Sequence, residues 1–185
     1  MNTVEPIRDY NLILDIADYL KEKNERDYVL FMTGIYLGRR ISDMLSFKVR
    51  DVKNKNYIEI IEEKTNKKSK IIINDELKEI YKEYLKGKSA YEPLFKSREG
   101  KNQSICRQRA YQILKEAADF FEYKDSIGCH SLRKTFGYWL YQDSGDIVVV
   151  QELLNHDNPE ITKRYIGINQ DTKDKSIKGL SFRKR

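Results

Sequence analysis

The chain holds two histidines, and each stands in a short polar constellation. His130 opens His130-Ser131-Leu132-Arg133, so a helix there points imidazole and guanidinium the same way. His156 lies in Leu153-Leu154-Asn155-His156-Asp157-Asn158-Pro159, and Tyr165 follows nine residues later. Far upstream is Gly38-Arg39-Arg40-Ile41-Ser42-Asp43. By type, an arginine is a permanently charged planar fork suited to oxyanions. A histidine exchanges a proton near neutrality, and a tyrosine is a weak nucleophile until activated. Taken singly, each has a plainer reading. A histidine at a helix start is commonly a cap or a packed ring, and a lone helical tyrosine a half-buried core residue. An Arg–Asp pair on one helix is commonly a surface ion pair. Cys129 adjoins His130, but neighbours at a helix start seldom face one another, which argues against a Cys–His nucleophile.

The elements that must position these residues follow from periodicity. Leu12, Leu14, Ile16, Ala17 and Leu20 recur at helical spacing and predict a helix over 10–23. Further helices are expected over 26–37 and 41–47. The period then changes. Residues 57–62 and 71–73 are β-branched runs flanking Lys64-Thr65-Asn66-Lys67-Lys68, which reads as a β-hairpin with a basic tip. Asn74 and Asp75 offer a cap for a helix over 76–86, and Pro93-Leu94-Phe95 reads as a third strand. Helices are expected over 104–121, 131–142, 146–154 and 159–167, the last with Asn158 as cap and Pro159 at its first position. The expected fold class is mainly α with a small three-stranded antiparallel sheet.

Composition bounds the function. A chain of 185 residues, 35% charged and 39% hydrophobic, predicts one domain with a sizeable core. No apolar run is long enough for a membrane span, and the N-terminus lacks a secretory pattern. Two cysteines make no disulfide framework, and a reducing cytoplasmic compartment fits. The net charge of +6 leans toward a nucleic-acid partner over a merely solvated basic surface. Residues 171–185 form a basic tail.

Six spaced elements now stand in order: Arg40 in G-R-R-I-S-D, Lys64 in E-K-T-N-K-K, His130 and Arg133 in H-S-L-R, His156 in L-N-H-D-N-P, and Tyr165. In that order and spacing they resemble the tyrosine recombinases, or phage integrase family, over roughly residues 27–168. The family pattern G-L-R-x-S-E/D has leucine where this chain has Arg39, and keeping R-x-S-D selects Arg40 as the first catalytic arginine. Asn155 replaces the usual glycine before the second histidine, a change asparagine tolerates through its left-handed backbone angles.

The resemblance implies a catalytic-domain fold over 1–170 with no N-terminal core-binding domain, because the first motif comes so early. It implies site-specific cutting and rejoining of double-stranded DNA by transesterification, through a 3′-phosphotyrosyl bond at Tyr165. Arg40 and Arg133 then clamp the phosphorane, and His156 adds a third donor. His130 accepts or shuttles the tyrosine proton. Lys64, or its neighbour Lys67, protonates the leaving oxygen, and Asp43 orients Arg40. Lys67, Lys68, Arg107, Arg109 and Lys134 are the expected DNA contacts, with Lys101, Gln108 and Gln112 as further candidates. No metal or cofactor is implied, and self-association into a tetramer on DNA is expected, with integration or excision of mobile DNA as the task. Three rivals are a non-catalytic DNA-binding protein that kept the fold, a type IB topoisomerase and a hydrolytic nuclease. The early first motif motivates the first of these, and the six residues in order argue against it; small size and the His156 motif disfavour the second.

Overall fold

A computed structural model describes residues 4–61, 68–167 and 177–178. Helix α1 (Tyr10–Lys23) starts where the Asp9 carboxylate accepts the Asn11 amide at 2.9 Å, and buries Ile13, Ile16, Ala17 and Leu20. Asn24 ends it and caps α2 (Glu25–Leu37), taking the Arg26 amide at 3.0 Å. Helix α2 is apolar nearly all round and runs through the core, packed on α1, α5 (Asp75–Tyr84) and α7 (Cys129–Ser144). A Cβ on Gly34 would lie 2.4 Å from Leu132, so only glycine allows α2 and α7 to approach this closely.

Helix α3 (Ile41–Leu45) is shorter than the expected 41–47. The chain breaks and restarts as α4 (Val49–Val52), which the sequence pattern did not suggest; Asp51 takes the Lys48 amide at 2.8 Å. Strands β1 (Tyr57–Ile61) and β2 (Lys68–Ile72) pair antiparallel, Tyr57 opposite Ile72. Among the described residues the sheet has two strands, which corrects the expected three. Pro93 makes only an isolated bridge to Lys48, and Lys96 another to Ser104. Pro93 has no amide to donate, and the chain turns at Leu94 and Phe95, so neither side extends into a ladder.

Helix α6 (Arg107–Phe120) packs on α1 and α7. Helices α8 (Ile147–Leu153) and α9 (Pro159–Tyr165) complete the described fold, capped by Asp146 and Asn158. Most buried apolar residues form one cluster around α2. Phe31 and Phe95 are fully buried in it, each contributing about 2–3 kcal/mol. A second, small cluster of Val150, Leu154 and Ile166 packs under α7, with Phe136 and Tyr165 against it. Of the expected basic tail, Ile177 and Lys178 are in a helical turn, and the remainder lies outside the described residues.

Candidate active site

Gly38 ends α2 in the left-handed region, φ 58°, and a Cβ there would lie 2.2 Å from the Phe136 ring. This turn aims the two arginines that follow. Arg39 points inward and is 2% exposed. Its Nη2 donates to the Leu153 carbonyl at 2.8 Å, its Nη1 to Ser69 Oγ at 3.2 Å and its Nε to the Leu37 carbonyl at 3.4 Å. Arg40 is half-buried at the N-cap of α3, and Asp43 is buried in the first turn of that helix.

Helix α7 supplies the next pair. The Gly128 amide donates to Ser131 Oγ at 3.1 Å, which secures the helix start. His130 sits in that first turn, exposed, with Arg133 one turn on and almost fully buried. Arg133 Nη1 donates to the Gly38 carbonyl at 2.9 Å, and Nη2 to the Leu154 carbonyl. Its fork therefore ties the Gly38 turn to the end of α8.

Beyond α8, Asn155 adopts φ 53°, the left-handed conformation expected of it. The His156 amide donates to the Gln151 carbonyl at 3.0 Å, and Gln151 Nε2 returns a bond to the His156 carbonyl at 3.1 Å. His156 Nδ1 meets Thr162 Oγ1 at 3.0 Å. The imidazole lies edge-on to the Tyr165 ring, centroids 4.9 Å apart. Thr162 is one turn before Tyr165, so a single helix presents both groups to His156.

The Tyr165 hydroxyl is buried and makes no well-formed hydrogen bond among the described residues. Burial pushes its pKa above the ordinary phenol value, while Arg133, then Arg40, pull it down. Both cations also act on His130. Partial burial, then Arg107, Arg133, Arg40 and Lys134, hold its pKa below the usual histidine value. The site thus favours a neutral imidazole that can accept a proton, and it keeps the phenol protonated, burial outweighing the pull of the two guanidiniums. Arg40, Arg133, His130, His156 and Tyr165 converge; Lys64 and Lys67 lie outside the described residues.

The expected DNA contacts divide. Lys68 is exposed at the start of β2, and Arg107 is exposed beside His130. Arg109 is held by Glu116 at 3.0 Å and Gln112 at 3.4 Å. Lys134 differs from expectation: it is 7% exposed, with Nζ 5.3 Å from the Tyr165 ring centroid. An ammonium over the face of an aromatic ring is attracted to it, which is the interaction Lys134 makes with Tyr165 here. An open cavity of about 500 Å³ adjoins His130, lined by Arg107, Gln108, Tyr111, Gly128 and Cys129. A larger groove, about 630 Å³, lies between α1 and α6 and contains none of the six motif residues. Among the described residues no group of three or more His, Cys, Asp or Glu could hold a metal ion.

Sequence reasoning missed Arg39, Gln151 and Thr162. Thr162 left one signal, its place a turn before Tyr165. Arg39 left none, since its partners lie far along the chain.

A mainly helical fold gathers two arginines, two histidines and a buried tyrosine, residue types suited to phosphoryl transfer. A family model described as the phage integrase family matches residues 7–171. The probable integrase/recombinase YoeC of Bacillus subtilis is 48% identical over 172 residues, 93% of this chain and 94% of the relative. Among solved structures, XerA recombinase superposes with TM-score 0.78 at 18% identity, covering 96% of this chain and 67% of that one. XerH site-specific recombinase bound to palindromic difH substrate, a post-cleavage complex, gives TM-score 0.74 at 19% identity, covering 96% and 53%. The chain belongs to the phage integrase family and is a tyrosine-type DNA recombinase. It spans nearly all of the Bacillus relative, 66% of a tyrosine recombinase of Pseudothermotoga lettingae and 51% of the XerC recombinase of Thermodesulfovibrio yellowstonii.

Proposed function

We propose that this chain cuts and rejoins double-stranded DNA at a specific site through a 3′-phosphotyrosyl bond on Tyr165. The observation that carries the reading is the buried Tyr165 hydroxyl, within reach of the charges of Arg133 and Arg40 and with the His156 ring against the Tyr165 ring. The phenolate oxygen attacks phosphorus, a P–O bond to Tyr165 forms, and the 5′-oxygen leaves. Arg40 and Arg133 hold the extra negative charge of the phosphorane, and Asp43 supports Arg40. One such preorganised donor is worth about 3–4 kcal/mol. His156, with Nδ1 engaged by Thr162, presents the opposite edge of its ring toward the phosphate. His130 takes the tyrosine proton, and Lys64, with Lys67 as rival, gives one to the leaving oxygen. Energy stored in the phosphotyrosyl bond makes ATP unnecessary.

Lys68 and Arg107 are the outer phosphate contacts, giving salt-dependent affinity with little sequence readout. Residues 1–170 act as the catalytic domain. Recombination of two duplexes calls for self-association into a tetramer on DNA. XerH, a fold neighbour, is bound to its DNA substrate, which supports the duplex as partner. Integration or excision of mobile DNA is the task in this reading, and the Bacillus relative carries the name probable integrase/recombinase.

The test is covalent trapping. A nicked duplex, its site selected from a random pool by covalent capture, loses the attacking 5′-hydroxyl after cleavage. A protein–DNA band on a denaturing gel with EDTA present, absent for Tyr165→Phe, is the expected result. Tight, salt-sensitive binding without that band would overturn catalysis by this chain and favour a binding protein that kept the fold.

A further inference from the structure

Lys134 is a buried cation for which the proposed chemistry has no use. It follows Arg133 on α7, and among the described residues its Nζ makes neither a hydrogen bond nor an ion pair. What it meets is the face of the Tyr165 ring. Taking an ammonium out of water is costly, and an aromatic face offsets part of that cost. The N-terminal segment packs beside it. Ile7 is fully buried; its amide donates to Thr135 Oγ1 at 2.9 Å, and its carbonyl accepts from Trp139 Nε1 at 3.0 Å. The Glu5 amide donates to the Ser126 carbonyl at 3.1 Å. These bonds fix residues 5–8 along α7, where Glu5 and Arg8 form an ion pair at 2.8 Å. The pair abuts Gly167, two residues beyond Tyr165: a Cβ on Gly167 would run into Arg8 Nη2. Burial pushes the Lys134 pKa below the usual lysine value; Glu5 opposes this and Arg8 adds to it. The Tyr165 ring thus has the ammonium of α7 as one neighbour and the His156 ring as another.

We propose that Lys134 is a positioning residue that holds the Tyr165 ring, and with it α9, against α7. The inference rests on the proposed function, in which Tyr165 is the nucleophile. Helix α9 is seven residues long and its apolar support is the small cluster around Ile166, so one further contact at the ring counts. The mode of contact suits a nucleophile. A donor on the phenol oxygen would occupy the lone pair that must attack phosphorus. A cation on the ring face fixes the ring and leaves that oxygen free. The charge of Lys134 is then spent inside the protein, and it releases no counterion when DNA binds.

The experiment uses the full chain with Lys134→Met, Lys134→Arg, Tyr165→Leu and the double variant Lys134→Met, Tyr165→Leu. Methionine keeps a long apolar stem, and arginine keeps the cation. Deuterium exchange of the α9 amides is measured without DNA, beside a thermal melt. Lys134→Met should speed α9 exchange about tenfold and leave α2 unchanged, while Lys134→Arg stays within about threefold of the parent. On top of Tyr165→Leu, loss of the lysine should add little, because ring and ammonium act as a pair. Covalent trapping on the selected nicked duplex should slow about tenfold in Lys134→Met and recover in Lys134→Arg, as a lost positioning contact predicts. The salt dependence of DNA binding should match the parent in both, whereas Arg107→Ala lowers its slope by about 0.9. A slope lowered as much by Lys134→Met, with α9 exchange unchanged, would make Lys134 a phosphate contact and overturn the inference. Additive effects of Lys134→Met and Tyr165→Leu, or equal losses in the methionine and arginine variants, would mark packing alone and overturn it too. Absence of the covalent band in the parent would overturn the proposed function, and the exchange measurements would still decide whether Lys134 holds the Tyr165 ring.

Discussion

Gly137 on α7 offers a sharp way to disturb Tyr165, the proposed nucleophile, without touching it. A Cβ added there would lie 2.7 Å from Ile166 Cγ2 and 3.0 Å from Leu154 Cδ1. Relaxed carbon contacts sit at about 3.5–4.0 Å, so Gly137→Ala must open this contact by about 1 Å. The Ile166 methyl branches directly from Cβ and cannot swing away, so the backbone gives. Ile166 adjoins Tyr165, and Leu154 leads into His156. Overpacking costs about 1–3 kcal/mol, and alanine returns up to about 1 kcal/mol of helix propensity. The net loss of stability is then about 1 kcal/mol, a fall in melting temperature of about 2–4 °C for a chain of this size. The catalytic loss is larger, because a displacement of about 1 Å at a reacting group costs about 100-fold. Single-turnover cleavage of the nicked duplex, read beside a thermal melt and a binding titration, separates the two effects. Cleavage within about twofold of the parent, with the melt shifted as expected, would refute the claim that the α7–α9 contact places Tyr165.

Thr162→Val removes the hydroxyl that meets His156 Nδ1; cleavage should fall about tenfold with binding unchanged, a smaller loss than for His156→Ala. A loss equal to that of His156→Ala would mean that Thr162 does more than orient the ring. Arg107→Ala should raise the His130 pKa, since Arg107 is the first of the cations that depress it, and the ring signal followed by NMR against pH reads this directly. In the parent the acid limb of cleavage should fall below the ordinary histidine pKa of about 6.5, because His130 must be neutral to act as a base. Folding stability should rise with pH up to about 6.5, since the unfolded chain protonates this histidine more readily than the folded one. Arg109→Ala should barely change the salt dependence of DNA binding, because Glu116 and Gln112 already hold that guanidinium.

Sequence legibility followed the range of the interactions. Helices with local caps were readable: Asn74 before α5 and Asn158-Pro159 before α9 are signals that act within a turn. The left-handed Asn155 was readable for the same reason. The third strand was not, because Leu94 and Phe95 are buried by a turn whose partners, Lys48 and Ser104, come from two different segments. Helix α4 was missed because a single side-chain bond, Asp51 to the Lys48 amide, starts it. The converging residues were legible as an ordered pattern, but their environment was not. Lys134 reads as a surface cation in sequence, and the packing of α7 on the N-terminal segment and α9 buries it. Arg39 reads as a neighbour of Arg40, and only the tertiary fold shows that it serves β2 and α8 instead.

The two apolar clusters differ greatly in size, and Tyr165 packs against the smaller one. Helices α8 and α9 are seven residues each, too short to persist alone, so Val150, Leu154, Ile166 and the grip of Arg39 and Arg133 hold them. Such a segment opens locally at a free energy below that of global unfolding. Backbone amides of α9 should therefore exchange with solvent deuterium well before those of α2, and DNA bound across the site should slow them selectively. Tyr165 thus rides on a short element held by few apolar contacts. Under the proposed function, local opening there would withdraw the tyrosine while α2 and α7 stay folded.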